Sequence, residues 1–179
     1  MPTSDLPPDI LLPLHQVKRR SQTEYPQYRF VPKRHPHPLK SNGDIRHIPI
    51  AEDASNQAQW DYAVDLFNAA YYWEAHEVWE GLWKKWKKTH HQNAQFTQGC
   101  IFVTAAALQN HLGRIDISQK MLQRAQTLLQ VGYQDTDICF DCHFTKWCES
   151  HLTILNSPML FQRRNLWRYC AIQRLNFIE

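Results

Sequence analysis

Within the stretch Trp73-Glu74-Ala75-His76-Glu77-Val78-Trp79-Glu80-Gly81-Leu82-Trp83, three side chains can do chemistry together: His76, Glu77 and Glu80. If the stretch is helical, His76 and Glu80 share a face one turn apart. Trp83 lies a turn further along that face and Trp79 borders it. An imidazole and a carboxylate so placed can share a divalent metal ion, or form a hydrogen bond that fixes the imidazole tautomer. Glu77 stands beside them, and Glu74 lies off the face. One helix offers two good ligands, so a metal centre needs others, and His37, His47 and His111 are the candidates. The run His76-Glu77-Val78-Trp79-Glu80 is one letter from the zinc-protease pattern H-E-x-x-H. The letter it lacks is a ligand, so that chemistry is set aside. A pair that only fixes helix packing, enclosed by Trp79 and Trp83, is the competing and favoured reading.

A second constellation is Cys139-Phe140-Asp141-Cys142-His143, followed by Cys148 and His151. C-x-x-C-H is the attachment pattern of c-type haem, a chemistry that requires export. Residues 1–13 show no basic segment followed by an apolar one, so no secretory signal is read there. Cys139, Cys142, Cys148 and His151 can instead hold zinc through three thiolates and an imidazole. Against this, Cys148 shares an apolar stripe with Trp147 and Leu152, which suits a buried thiol. Five cysteines is an odd number, and free thiols in a cytoplasmic chain are the favoured reading.

Basic residues interleaved with aromatics form a third constellation: Lys18-Arg19-Arg20, Lys33-Arg34, Lys84, Lys85, Lys87, Lys88, and Arg163-Arg164 with Arg168. Such patches can follow a phosphate backbone. A net charge of +3 with acids spread throughout favours a solvated face, so nucleic acid is the less favoured partner.

These residues need elements to position them. In 179 residues there is room for one domain with a sizeable core, and no apolar run nears the roughly 18 residues that span a bilayer. Nine of the ten prolines fall in residues 1–54, which read as an irregular extension, partly ordered and wrapping the domain. A disordered arm is the equal alternative. Helical periodicity begins at Ser55, where Trp60, Ala63, Val64, Phe67 and Tyr71 mark one buried face. A break follows over residues 68–72. A second helix runs from about Tyr72 to Lys88 and ends in a cationic cluster that suits its dipole.

The third helix spans about Ala94 to Leu112, with Phe96, Cys100, Val103 and Ala107 inward. Gly99 and Ala105, Ala106 and Ala107 permit close approach, and Gly113 stops it. The fourth opens with a capping box at Asp116-Ile117-Ser118-Gln119, buries Ile117, Met121, Leu122, Ala125, Leu128 and Leu129, and ends at Gly132. A fifth begins near Asp141 with Phe144, Trp147, Cys148, His151, Leu152 and Leu155, and Pro158 closes it. One more short helix is expected in the tail. The fold expected is all-α, a compact antiparallel array of five to six helices over residues 55–179.

On these residues the chain resembles the "domain of unknown function 309" family, whose hallmark H-x-x-x-E-x-x-W is met by His76, Glu80 and Trp83. Leu66-Phe67-Asn68, Glu74-Ala75-His76-Glu77, and Gln98-Gly99-Cys100-Ile101 with the helix ending at His111 also resemble it. Tyr28-Arg29-Phe30-Val31-Pro32 and Pro36-His37-Pro38 resemble an extension found in one branch. The resemblance covers roughly residues 25–130 and implies a compact helical fold without an agreed activity. The family usually has a glycine or other turn residue where this chain has Ala69-Ala70. Its extension commonly reads Val-Pro-Gly and Gly-His-Ser where this chain has Val31-Pro32-Lys33 and, loosely, Arg46-His47-Ile48.

Three function classes remain. The favoured one is a helical interaction or structural module, binding a protein partner or a second copy, with His76 and Glu80 as a buried pair. The second is a metal-dependent, hydrolase-like enzyme that uses His76 and Glu80 as ligands, or as base and orienter, with a divalent metal as cofactor. The third is a nucleic-acid-associated protein.

Overall fold

A computed structural model of the chain describes residues 19–35, 37–38, 48–51 and 53–132. The constellation Cys139, Cys142, Cys148 and His151, the fifth and sixth helices, His47, Lys18 and the Arg163-Arg164-Arg168 patch lie outside the described residues. Four helices and no strands occur among those described: α1 (Asn56–Asn68), α2 (Tyr72–Trp86), α3 (His91–His111) and α4 (Ile115–Gly132). None is long and apolar enough to cross a membrane.

Local chemistry sets the boundaries. Ser55 caps α1, its hydroxyl accepting from the Ala58 N–H at 3.1 Å. At the other end, Tyr71 N–H bonds Leu66 C=O at 2.8 Å and Ala70 N–H bonds Phe67 C=O at 3.0 Å. That pair of bonds is a Schellman closure, which needs a left-handed residue after the cap. Ala70 takes that conformation with φ 64°, and Gly113 does the same after α3 with φ 76°. Only the alanine has a Cβ to oppose it.

Each helix packs on the next in sequence. In α3 and α4 the contacts Gly99–Leu129, Phe102–Arg124 and Ala106–Ser118 step inward towards the turn, so the two run antiparallel. Trp60–Trp79 and Phe67–Tyr72 show the same for α1 and α2. Tilted rings of Trp60, Phe67, Trp79 and Phe96, with centroids 5.6–6.0 Å apart, form the centre of the core. Leu66, Leu82 and Leu122 fill it out and are fully buried.

The α4 expectations need correction. No capping box forms, because the chain is helical from Ile115 and Ser118 turns inward, donating its hydroxyl to the Ala106 carbonyl at 2.7 Å. The buried stripe is Ser118, Leu122, Ala125 and Leu129, while Ile117 is exposed. A cross-helix hydrogen bond satisfies the serine and lets it take the place assigned to isoleucine. The close approach expected at Gly99 is present. A Cβ there would stand 2.7 Å from Leu129 Cγ.

Residues 19–35, with residues 37 and 38, lie along α1 and α2 as a strap. The buried Asp65 carboxylate accepts from the backbone N–H of Arg20 at 2.9 Å, the N–H of Ser21 at 2.8 Å and the Ser21 hydroxyl at 2.9 Å. Tyr62 donates to the Glu24 carbonyl at 2.8 Å, and Tyr71 to the Pro26 carbonyl at 3.3 Å. Tyr25 stacks flat on Tyr71 with centroids 5.2 Å apart. Pro32 and Lys33 make a tight turn, closed by Arg34 N–H to Val31 C=O at 3.1 Å, with Lys33 at φ 70°. Most of these polar contacts are to main-chain atoms, so the seat reads an extended backbone more than a sequence.

Candidate functional site

Helix α2 carries every acid and imidazole of the central stretch, and its two faces treat them differently. Glu74 points inward, is fully buried, and accepts the Phe30 N–H at 2.7 Å. It therefore anchors the strap. Trp73, on the neighbouring face, is met edge-on by Phe30 at 5.1 Å and by His37 at 5.7 Å. His37 is thus an aromatic lid on Trp73. His111 is the last residue of α3.

His76, Glu77 and Glu80 lie on the half-buried face, with side chains 31, 27 and 31% exposed. One ligand atom from each falls within 4.8 Å of the other two, the only such mixed set of three among the described residues. Neither His37, His111 nor Glu74 joins this set. The imidazole turns to Glu77, with Nδ1 3.3 Å from Oε1, and this nitrogen is buried without a formed hydrogen bond. Glu80 instead meets Lys84 Nζ at 3.2 Å. The enclosed His76–Glu80 pair expected from the four-residue spacing is therefore replaced by two half-exposed pairings. One helix also presents three candidate ligands where two were expected, because adjacent Glu77 is long enough to reach round to the face. Trp83 is half-buried on the same stripe, and Lys87 Nζ sits 4.8 Å from its ring centroid.

Sequence reasoning missed Asp65. Its signal was an acid within the otherwise apolar run Tyr62-Ala63-Val64-Asp65-Leu66-Phe67, all of which is buried. Arg19, counted among the basic patches, lies over the Tyr25 ring at 4.4 Å and 3.8 Å from Asp65. It is engaged within the fold. Burial, reinforced by Asp65, pushes the Tyr25 phenol up to about 12, and burial also raises Tyr62. Asp61 is raised as well, through burial.

Residues 60–121 match the model of the family described as domain of unknown function (DUF309). This segment belongs to that family. It spans most of α1, all of α2 and α3 and the start of α4, so the DUF309 segment contains the whole His76–Glu77–Glu80 face. No curated protein and no solved structure matches the chain.

Proposed function

We propose that the domain is a dication-binding module that acts through the half-exposed face of α2, with His76, Glu77 and Glu80 as ligands. One observation carries the reading: an imidazole nitrogen and two carboxylate oxygens within 4.8 Å on side chains that solvent can reach. Ligands about 2.0–2.2 Å from a metal stand roughly 3.3 Å apart, so modest side-chain rotation closes the set. Three protein ligands leave a coordination position for water or a substrate oxygen, as in catalytic and not structural centres. A dication there would polarise an oxygen ligand or activate water, which is the chemistry of a hydrolase. The rival reading, a purely structural pair, asks for a His76–Glu80 bond in the interior, and the half-exposed pairings above do not supply one. Cys100 is a buried thiol within the core, in keeping with a cytoplasmic setting.

The test is titration of chelator-treated full-length protein with Mn²⁺ or Zn²⁺. One equivalent is expected to bind, and His76→Ala should abolish binding while changing stability by no more than about 1 kcal/mol, the upper range for a solvent-reached pair. Failure of the parent protein to bind either ion would refute the reading. So would a His76→Ala variant that keeps its metal.

A further inference from the structure

We propose that the C-terminal segment around residues 141–155 seats as a further helix in the groove between α3 and α4, with Cys148 turned into the groove. The proposal is independent of the dication reading. One contact marks the groove: Arg124 lies over the Phe102 ring at 5.9 Å. Half-buried Ile101 and Ala105 continue the Phe102 side of α3, and Ile117, Met121 and Leu128 share the Arg124 side of α4 at helical spacing. Phe96 meets Trp60 of α1 on another side of α3, where Cys100 is also buried. That leaves the groove to no other described helix. Ile117, at 44%, is the one large apolar side chain exposed among the described residues.

The chain itself supplies the occupant. Residues 133–179 continue directly from α4. Phe144, Trp147, Cys148, His151, Leu152 and Leu155 recur at helical spacing and make one stripe. Phe144 and Leu155 stand as many residues apart as Ile117 and Leu128, so each stripe is about 17 Å long. Residues 133–140 reach up to about 27 Å, enough to turn the chain back along α4. Charge agrees. Residues 133–155 carry Asp135, Asp137, Asp141 and Glu149 against Lys146, and the exposed Lys120 and Arg124 border the groove. So short a link favours docking within one chain over docking between copies.

Docking shields Cys148, while Cys142, two residues before Phe144, falls on the opposite side of the same helix and stays in solvent. The test is alkylation of the full-length protein by iodoacetamide, read at each thiol by peptide mass spectrometry. Cys148 should react at least about tenfold more slowly than Cys142, because a docked thiol is reached only when its element opens. The variant I117E/M121E should bring Cys148 to the rate of Cys142 and leave Cys100, sealed in the core, protected. If Cys100 reacts there too, the core itself has opened and Met121→Cys decides. A short bis-maleimide should then join position 121 to Cys148 within one chain. Equal rates at Cys142 and Cys148 in the parent protein, protection of Cys148 retained in I117E/M121E, or absence of that cross-link overturns the proposal. Protection that fades on dilution, or a cross-link between chains, gives the groove to a second copy and overturns it as well. So does joint protection of Cys139, Cys142 and Cys148 that a chelator abolishes, which assigns those thiols to zinc.

Discussion

Asp65→Asn keeps the shape of a side chain with no exposed surface and removes its charge. The carboxylate holds three donors of the strap: the N–H groups of Arg20 and Ser21 and the Ser21 hydroxyl, at 2.8–2.9 Å. Hydrogen bonds to a charged acceptor contribute about 1.5–3 kcal/mol each, against about 1 for neutral pairs. An amide offers one oxygen and turns its NH₂ towards a donor. One bond is therefore lost and the others weaken, for a net loss of about 3 kcal/mol once partial resolvation of the half-buried strap is allowed. In a chain of this size that lowers Tm by about 6–12 °C. Urea denaturation followed by circular dichroism measures the loss. Trypsin, which cuts after Arg19, Arg20 and Arg29, reports whether the strap has left its seat. A loss below about 1 kcal/mol with unchanged cleavage would refute the claim that this buried acid fastens the strap.

Three further outcomes follow from the same geometry. Ala70→Gly should stabilise the domain by about 0.5–1 kcal/mol, because left-handed strain of about 1–2 kcal/mol is relieved and part is returned as unfolded-state entropy; thermal melting checks it. Gly99→Ala should cost about 1–3 kcal/mol, since its Cβ would fall 2.7 Å from Leu129 Cγ and 3.3 Å from the Leu129 backbone nitrogen, and chemical denaturation measures the cost. The third outcome concerns pH. The Tyr25 phenol titrates near 10.0 when unfolded and about 12 when folded, so the unfolded chain releases its proton first. Its contribution is fully present below pH 10 and is lost as pH rises towards 12, and Tyr25→Phe should flatten that decline in melts between pH 9 and 11.5.

Much of the helical fold was legible because burial imposes a period. Trp60, Ala63, Val64 and Phe67 mark α1, and Phe96, Cys100, Val103 and Ala107 mark α3; all are buried. The stop at Gly113 is local chemistry readable from a single letter, whereas the left-handed Ala70 has no glycine to announce it. What pattern could not supply were partners chosen across the fold. Ser118 is an interior letter of the capping box expected between Asp116 and Gln119, and nothing in that pattern marks its bond to the Ala106 carbonyl. The strap's seat was hidden more deeply, since Asp65, Tyr62 and Glu74 bind main-chain atoms about 40 residues away. Every residue has a backbone N–H, so no residue type announces that it will be the one received.

The same distinction separates the acids of α2. Glu74 and Glu77 are one turn apart in sequence and opposite in circumstance. Glu74 is sealed in the core, where a charge survives only with donors, and Phe30 provides one. Its type is explained by the fold, and removing it should be felt as lost stability. Glu77 and Glu80 face outward and meet only His76 and a Lys84 that is 58% exposed. Pairs of that kind contribute about 0–1 kcal/mol, too little for the fold to require this imidazole and these two carboxylates together. Residues that stability does not account for, gathered on an accessible face with oxygen and nitrogen atoms converging, are where a ligand is to be sought.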